Sequence, residues 1–167
     1  MADKAKPEKN YLERWPGLYI RKGNEILDAP EEDQKVARGY PQWPDKGPIL
    51  DGKRITVMVK KKSYRVNEEI RILHVAEVTV PGREVFIMGP KLILGEQVDG
   101  KLVTEPHPEG CEPLNPPDCY NGRVLQSPAL DYNYDITFYK FDRPGKHELQ
   151  WVLGPLRSNI LEVEVVK

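Results

Sequence analysis

The amino-acid sequence predicts an all-β protein, an antiparallel sandwich of seven to eight strands preceded by an irregular N-terminal arm. Three observations support this fold class. From residue 54 onward, apolar and polar residues alternate with a period of two in runs of strand length. Sixteen prolines and 13 glycines among 167 residues supply the turns that connect short strands. No helical pattern separates the strands, which argues against an α/β fold.

Residues 1–54 are predicted to be a tail and an arm that wraps the domain formed by residues 55–167. Pro30, followed by three acidic residues, is typical of the start of a helix. Gly39 would end this helix after about two turns. The segment has too few apolar residues to bury a core of its own, so we expect it to pack on the second part of the chain.

Eight segments of the second part have the alternation of β-strands. The first of them places Ile55, Val57 and Val59 on one face. Asp99-Gly100 is a strong β-hairpin signal between the fourth and the fifth segment. The predicted strands are residues 54–60, 69–80, 84–88, 91–98, 101–104, 135–141, 147–153 and 160–166.

Two stretches resemble the immunoglobulin-like β-sandwich superfamily, which includes macroglobulin-type and fibronectin-type modules. Residues 64–70 read Tyr-Arg-Val-Asn-Glu-Glu-Ile and resemble a Tyr-x-x-Gly-Glu-x-Ile entry into the second strand. Asn67 replaces the glycine and tolerates the same left-handed conformation. A Pro-Gly turn before His147 and a Ser-Asn pair at residues 158–159 resemble the last two strands, although the family has an aromatic hydroxyl where His147 stands. The resemblance implies an immunoglobulin-like fold and says little about function.

Charge and hydropathy bear on whether the protein binds nucleic acid, whether it spans a membrane and in which compartment it functions. The formal net charge of −1 provides no field that would recruit nucleic acid. No run of 18 apolar residues occurs, so no membrane span is predicted. The N-terminus lacks the apolar core of a signal peptide. The protein is therefore either cytoplasmic or a mature form whose leader was replaced by methionine.

The sequence contains no recognisable catalytic or metal-binding motif. His74 lies on an apolar face of a predicted strand, and neither His74 nor His147 has a histidine or a carboxylate at i+2 or i+4 that would resemble a metal pair. Phosphate-loop, dinucleotide, Gly-x-Ser-x-Gly and His-Glu-x-x-His motifs are missing. We therefore predict no catalytic residue, no metal and no cofactor. An enzyme or ligand carrier with a site assembled through space near His74, His107 or Cys111 is the alternative.

Residues 106–123 form a long proline-rich loop, and loops of this length in compact domains are usually functional or disordered. Cys111 and Cys119 lie eight positions apart and predict a local disulfide, with two free thiols or half of a metal site as alternatives. A disulfide would stabilise the fold by about 2–3 kcal/mol in the chain-entropy model. It would also indicate an oxidising compartment and thus an extracytoplasmic or secreted protein.

The candidate contact residues are aromatic side chains and one arginine. Tyr120 and Arg123, in or next to the stapled loop, are of the types that dominate binding energies at interfaces. Tyr132 and Tyr134 could extend this surface, and Trp43 in the arm could present an aromatic–proline surface. The alternatives are that the disulfide only rigidifies a connection and that the arm aromatics pack over one sheet.

Together these features predict a non-catalytic protein-binding or assembly module, for example a subunit of an extracytoplasmic complex or a surface array. A proteinase-inhibitor-like domain that presents a loop is one alternative, and the enzyme or metal-binding carrier is another. The expected partner is a protein or a second copy of the chain.

Overall fold

The alternating segments pair into several antiparallel sheets in the computed structural model, which describes residues 11–87, 89–114 and 123–167. Two short 3-10 turns and one helix accompany the strands. In chain order the elements are a 3-10 turn at Tyr11–Glu13, β1 (Tyr19–Lys22), β2 (Glu25–Asp28), α1 (Glu31–Arg38), a 3-10 turn at Tyr40–Gln42, β3 (Lys53–Met58), β4 (Ser63–Arg65), β5 (Ile70–Val78), β6 (Glu84–Phe86), β7 (Glu96–Val98), β8 (Lys101–Leu102), β9 (Val124–Gln126), β10 (Ala129–Asp131), β11 (Thr137–Tyr139), β12 (Gly145–Leu153), β13 (Leu156–Arg157) and β14 (Leu161–Val166).

Sheet I is built around β5. Strand β3 pairs antiparallel with one edge of β5, in a register that runs from Lys53 opposite Val78 to Met58 opposite Leu73. On the other edge of β5, β10 pairs with its C-terminal end and β11 with its N-terminal end. Both sides of the central strand are thus occupied.

Sheet II has the strand order β4-β14-β12-β7-β8, with β13 paired to the end of β12. Its pairs are antiparallel except β4 with β14, which is parallel. The predicted hairpin between β7 and β8 is confirmed, because Asp99 and Gly100 both have positive φ, 52° and 79°. The hairpin β1–β2 and the antiparallel pair of β6 with the distant β9 form two further small sheets.

The main core lies where the inward side chains of both sheets meet. Ile55, Val57 and Ile72 from sheet I pack in one cluster with Leu161 and Val163 from sheet II. Trp151, predicted from its alternation to be a core residue, is fully buried in the same cluster. Burial of these side chains is the main favourable term that holds the sheets together.

A second cluster covers the outer face of sheet I. Leu18, Ala37 and Tyr40 from the N-terminal segment pack there against Met58 and Leu73 of the sheet. Helix α1 begins after Pro30 and ends at Gly39, as predicted.

Two buried or nearly buried carboxylates attach this segment to β5. Asp33 accepts hydrogen bonds from the guanidinium of Arg71, one of them at 2.9 Å from Nε. Glu77 accepts from Arg54 Nε at 2.7 Å and from the hydroxyls of Tyr40 (2.5 Å) and Tyr11. Since a buried carboxylate is stable only when it is hydrogen-bonded, these contacts also fix the position of the segment.

The two stretches that carry the family resemblance have defined structural roles. Asn67 has φ of 63°, the left-handed conformation expected at that turn. Asn159 Oδ1 accepts from the Val57 backbone N–H at 2.8 Å, and Asn159 Nδ2 donates to the Val57 carbonyl at 3.0 Å. The side chain of Asn159 therefore joins sheet I to the start of β14. His147 hydrogen-bonds Asp99 at 2.7 Å and stacks on Phe141.

The prediction of seven to eight strands is too low, because the described residues contain fourteen. Each of the eight predicted segments does contain a strand. The additional strands β1, β2, β4, β9, β10 and β13 have only two to four residues, too few for an alternation to be recognisable. None of the helices in the described ranges is long and apolar enough to cross a membrane.

Candidate functional site

A groove of about 800 Å³ runs along the edge of β11 and is the candidate site. It is formed mainly by four stretches of the chain, residues 19–21, 92–93, 103–105 and 135–139. Its outer wall is β1, from the segment that covers sheet I, and its inner wall is the stretch after β8. Its lining side chains include Ile20, Arg21, Leu92, Val103, Glu105, Asp135, Phe138 and Tyr139.

The edge of β11 that faces the groove is unpaired. Among the described strands, β11 pairs only with β5. Just before β11, the neighbouring edge is occupied, since Lys91 forms a parallel bridge with Tyr134 and its carbonyl accepts from the Asp135 backbone N–H at 2.8 Å. The pairing with Lys91 ends before β11 begins, so the edge of β11 is open to the groove.

The inner wall continues the edge of sheet II beyond β8. The Val103 backbone N–H donates to the Glu96 carbonyl at 2.9 Å, and Gly95 donates to the Glu105 carbonyl at 2.7 Å. Thr104 Oγ1 accepts from the Glu96 backbone N–H at 2.9 Å. These bonds hold residues 103–105 in place as a firm wall of the groove.

Three apolar side chains of the groove are unusually exposed: Leu92 at 68%, Phe138 at 52% and Val103 at 48%. The guanidinium of Arg71 lies 4.8 Å from the centre of the Phe138 ring. Because Asp33 holds Arg71, the ring is supported from one side only. Large apolar side chains on an open strand edge are rare in soluble monomers, because such edges promote association.

Three charged side chains of the groove, Arg21, Glu105 and Asp135, have no ion-pair partner in the described part of the chain. Burial raises the pKa of Asp135, and the charges of Arg21 and His74 partly oppose this shift. Arg71 is already neutralised by Asp33. Since the charge of Arg21 partly compensates Asp135, Glu105 is the acidic side chain of the lining left without a compensating cation among the described residues.

A polar cluster centred on the fully buried side chains of Glu96 and His74 lies behind β11, between the two sheets. One oxygen of Glu96 accepts hydrogen bonds from Thr137 Oγ1 (2.5 Å) and from the Tyr139 hydroxyl. The other oxygen contacts His74 Nε2. His74 also lies edge-on to Trp151, with the ring centres 5.0 Å apart. The inward side chains of β11 are thus tied to both sheets.

Burial opposes ionisation of Glu96, but the charge and hydrogen bond of His74 and the two hydroxyls outweigh it, so the pKa of Glu96 is lowered. Since the carboxylate is ionised, His74 Nε2 must be the donor of their hydrogen bond. Burial and the adjacent carboxylate raise the pKa of Tyr139 well above its ordinary value. The cluster therefore holds a buried charge, and no strongly nucleophilic group results from these shifts.

Of the predicted contact residues that the structure describes, two are buried. Tyr132 and Tyr134 are only 2% and 6% exposed, so neither extends an exposed surface. Tyr132 packs against Trp15 and Tyr40, and Tyr134 packs against Trp151. Residues two apart in a regular strand would share a face. Here the Tyr134 backbone N–H donates to the Tyr132 carbonyl at 2.9 Å, and the chain turns so that Tyr132 lies in the second cluster and Tyr134 in the main core.

Arg123 and Trp43 are partly accessible. Arg123 contacts the carbonyl of Pro16 at 3.4 Å. Trp43 packs against both cores, with Lys62 at 5.2 Å from its ring centre. This agrees with the alternative that the arm aromatics pack over a sheet.

The proline-rich loop is only partly described. Cys111 is exposed and has no disulfide partner within the described residues, and His107 hydrogen-bonds its carbonyl at 2.9 Å. Cys119 and Tyr120 lie outside the described residues, so the disulfide and the role of Tyr120 stay predictions. The described residues contain no group of three side chains suited to a metal ion.

Sequence reasoning did not identify the groove residues as a site. One signal was present in β11: Phe138 shares its predicted face with Lys140, and a large apolar residue beside a solvated lysine often marks an exposed position. Comparison with known proteins adds nothing further, since no family model, curated protein or solved structure matches the chain.

Proposed function

We propose that the chain is a non-catalytic protein-binding module with an immunoglobulin-like β-sandwich fold, and that the groove receives a segment of a partner protein. The observation that carries the proposal is the row of exposed apolar side chains, Leu92, Val103 and Phe138, along an unpaired strand edge. Contiguous exposed apolar surface on a soluble domain usually marks an interaction site.

The strand pairings support the immunoglobulin-like part of the proposal. In that fold, the first, second and fifth strands share one sheet, and the third, sixth and seventh share the other. Here β3 and β5 lie in sheet I together with β10 and β11, which both pair with β5 and together take the place of the fifth strand. Strands β7, β12 and β14 lie in sheet II. The parallel pairing of β4 with β14 also fits, because it continues the first strand into the second sheet.

Selection from a phage-displayed library of linear peptides of about ten residues, the length of a long strand, tests the groove. Bound peptides are then measured against Phe138→Asp, which places a charge at the centre of the groove. Ile160→Asp is the matched control, because Ile160 is 53% exposed and does not line the groove. Urea unfolding of both variants checks that they fold.

We expect Phe138→Asp to weaken binding about tenfold or more, the usual effect of losing an aromatic anchor, and Ile160→Asp to leave it unchanged. If selection gives no binders, or if the selected peptides bind Phe138→Asp as well as the wild type, the groove is not the binding site.

We also propose that the module functions outside the cytoplasm, because two cysteines in one proline-rich loop are typical of oxidising compartments. Thiol titration of the denatured, unreduced protein tests this. An absence of free thiols supports the proposal, and two free thiols contradict it.

A further inference from the structure

We propose that the segment bound in the groove adds to the open edge of β11 as an extended strand and directs a cationic side chain toward Glu105. This inference rests on the proposed function and specifies the kind of partner that the groove fits. Its support is the placement of the walls around the edge and the distribution of charge between them.

The backbone of β11 favours an extended occupant over a helix. Strand β11 has three residues, and its groove-facing edge has no strand partner among the described residues. The polar groups of such an edge are satisfied by the backbone of an added strand, which is the basis of peptide recognition by strand addition. A helix, whose backbone groups bond internally, would leave them without partners.

The walls lie on both sides of the edge, and this geometry matches the alternation of side chains in a strand. Phe138 belongs to the outer face of sheet I, next to β1, whereas Thr137 and Tyr139 point inward to Glu96. Successive side chains of an added strand would therefore point alternately toward the outer wall and toward the inner wall. Apolar side chains on the outward-pointing residues of a bound segment would contact Phe138, and the inward-pointing residues would face the wall that carries Val103 and Glu105.

The uncompensated charges determine the polar part of the partner. Glu105 stands on the inner wall, and Asp135 precedes β11; neither has an ion-pair partner within the described ranges. The charge of Arg21 on the outer wall acts on Asp135, so Glu105 is the carboxylate that remains for the partner. A lysine or arginine among the inward-pointing residues of the segment compensates Glu105, so the favoured segment is apolar and basic in alternation.

The peptides selected from the phage library are the probe for this inference. Each is synthesised in unmodified form, with single backbone N-methyl groups at successive positions, and with each Lys or Arg changed to Glu. Binding is measured to the wild type, to Glu105→Gln and to Glu109→Gln. Glu109 is the matched control, an exposed acid of the same stretch that does not line the groove.

Strand addition predicts that N-methylation weakens binding about tenfold at alternate positions, where the N–H faces β11, and has little effect at the positions between. We expect Glu105→Gln to weaken binding by about two- to fivefold, as for an exposed ion pair, and Glu109→Gln to have no effect. Changing the basic residue to Glu should weaken binding to the wild type more than binding to Glu105→Gln.

Two results would overturn the inference and leave the proposed function intact. One is that peptide binding depends on Phe138, but N-methylation either has no effect on it or weakens it at successive positions and not at alternate ones. The other is selected peptides that bind through the groove without any basic residue. Binding that is independent of Phe138 would instead contradict the proposed function itself.

Discussion

Replacing Glu96 by Met tests whether the buried cluster behind β11 holds the two sheets together. Methionine has a similar size but cannot accept the hydrogen bonds from His74, Thr137 and Tyr139. The two hydroxyls are only part-buried and border the groove, so water can replace the lost acceptor. The side chain of His74 is fully buried, and its Nε2–H would have no partner.

The expected loss of unfolding free energy comes from the buried His74 donor, since water can replace the acceptor only for the two hydroxyls. An unsatisfied buried donor costs about 1–3 kcal/mol, and breaking a buried pair by removing one partner costs about 3–5 kcal/mol. We expect Glu96→Met to lower the free energy of unfolding by about 3 kcal/mol, a large part of the 5–15 kcal/mol typical of a domain. Urea unfolding followed by tryptophan fluorescence measures it, since Trp151 lies beside His74.

The double variant Glu96→Met/His74→Phe is the control for this interpretation. It removes both polar partners, so no donor is left unsatisfied, and it should be more stable than Glu96→Met alone. Two results would refute the reasoning. One is a loss of unfolding free energy below about 1 kcal/mol in Glu96→Met. The other is a loss in the double variant that equals the sum of the losses in Glu96→Met and His74→Phe within about 0.5 kcal/mol.

The pH dependence gives a second readout of the same variant. Because the pKa of Glu96 is lowered in the folded protein, its ionised form contributes stability above the ordinary carboxyl pKa, and this contribution is lost as the pH falls through the lowered value. The stability difference between wild type and Glu96→Met should therefore shrink in acid. A difference that stays constant or grows would contradict the assigned charge.

Substitutions at three further positions test single features of the fold by the same urea assay. Asn159→Ala removes both hydrogen bonds to the Val57 backbone and should cost about 2–3 kcal/mol; a loss below about 1 kcal/mol would show that water replaces the amide. Tyr40→Phe removes one donor to the buried Glu77 carboxylate and should cost about 1–2 kcal/mol, and an unchanged stability would mean that the remaining donors suffice. Asn67→Val should cost about 1–2 kcal/mol because its φ is 63°, whereas Asn67→Gly should be nearly neutral; equal losses in the two would contradict a backbone origin.

The long strands and the helix could be predicted because their signals are local. Strand β14 has the burial alternation that its sequence indicates, with every second residue buried. Helix α1 is bounded by Pro30 and Gly39, residues whose backbone preferences act without tertiary contacts. Strand β13, of two residues, exists only because β12 lies beside it, so no pattern within its own sequence could reveal it.

The groove could not be predicted for a related reason. Its walls come from residues 19–21 and 103–105, and its edge from β11, segments that are brought together only by the pairing of distant strands. Tyr132 and Tyr134 illustrate the opposite error. Their residue type suggested an extension of the contact surface, but side-chain type cannot distinguish an exposed ring from a core ring, and both rings pack inside the protein.

The two buried glutamates show what a charged residue at a buried position of a strand indicates. Glu77 of β5 and Glu96 of β7 are both fully buried, and each is satisfied by donors from other segments of the chain. Glu96 has a consequence for binding because two of its donors belong to β11. A partner segment that docks on β11 meets a strand whose inward side chains are already fixed, so little conformational entropy is lost there on binding. If the groove binds by strand addition, Glu96→Met should therefore weaken peptide binding even where the variant remains folded, through a strand edge that is less well ordered.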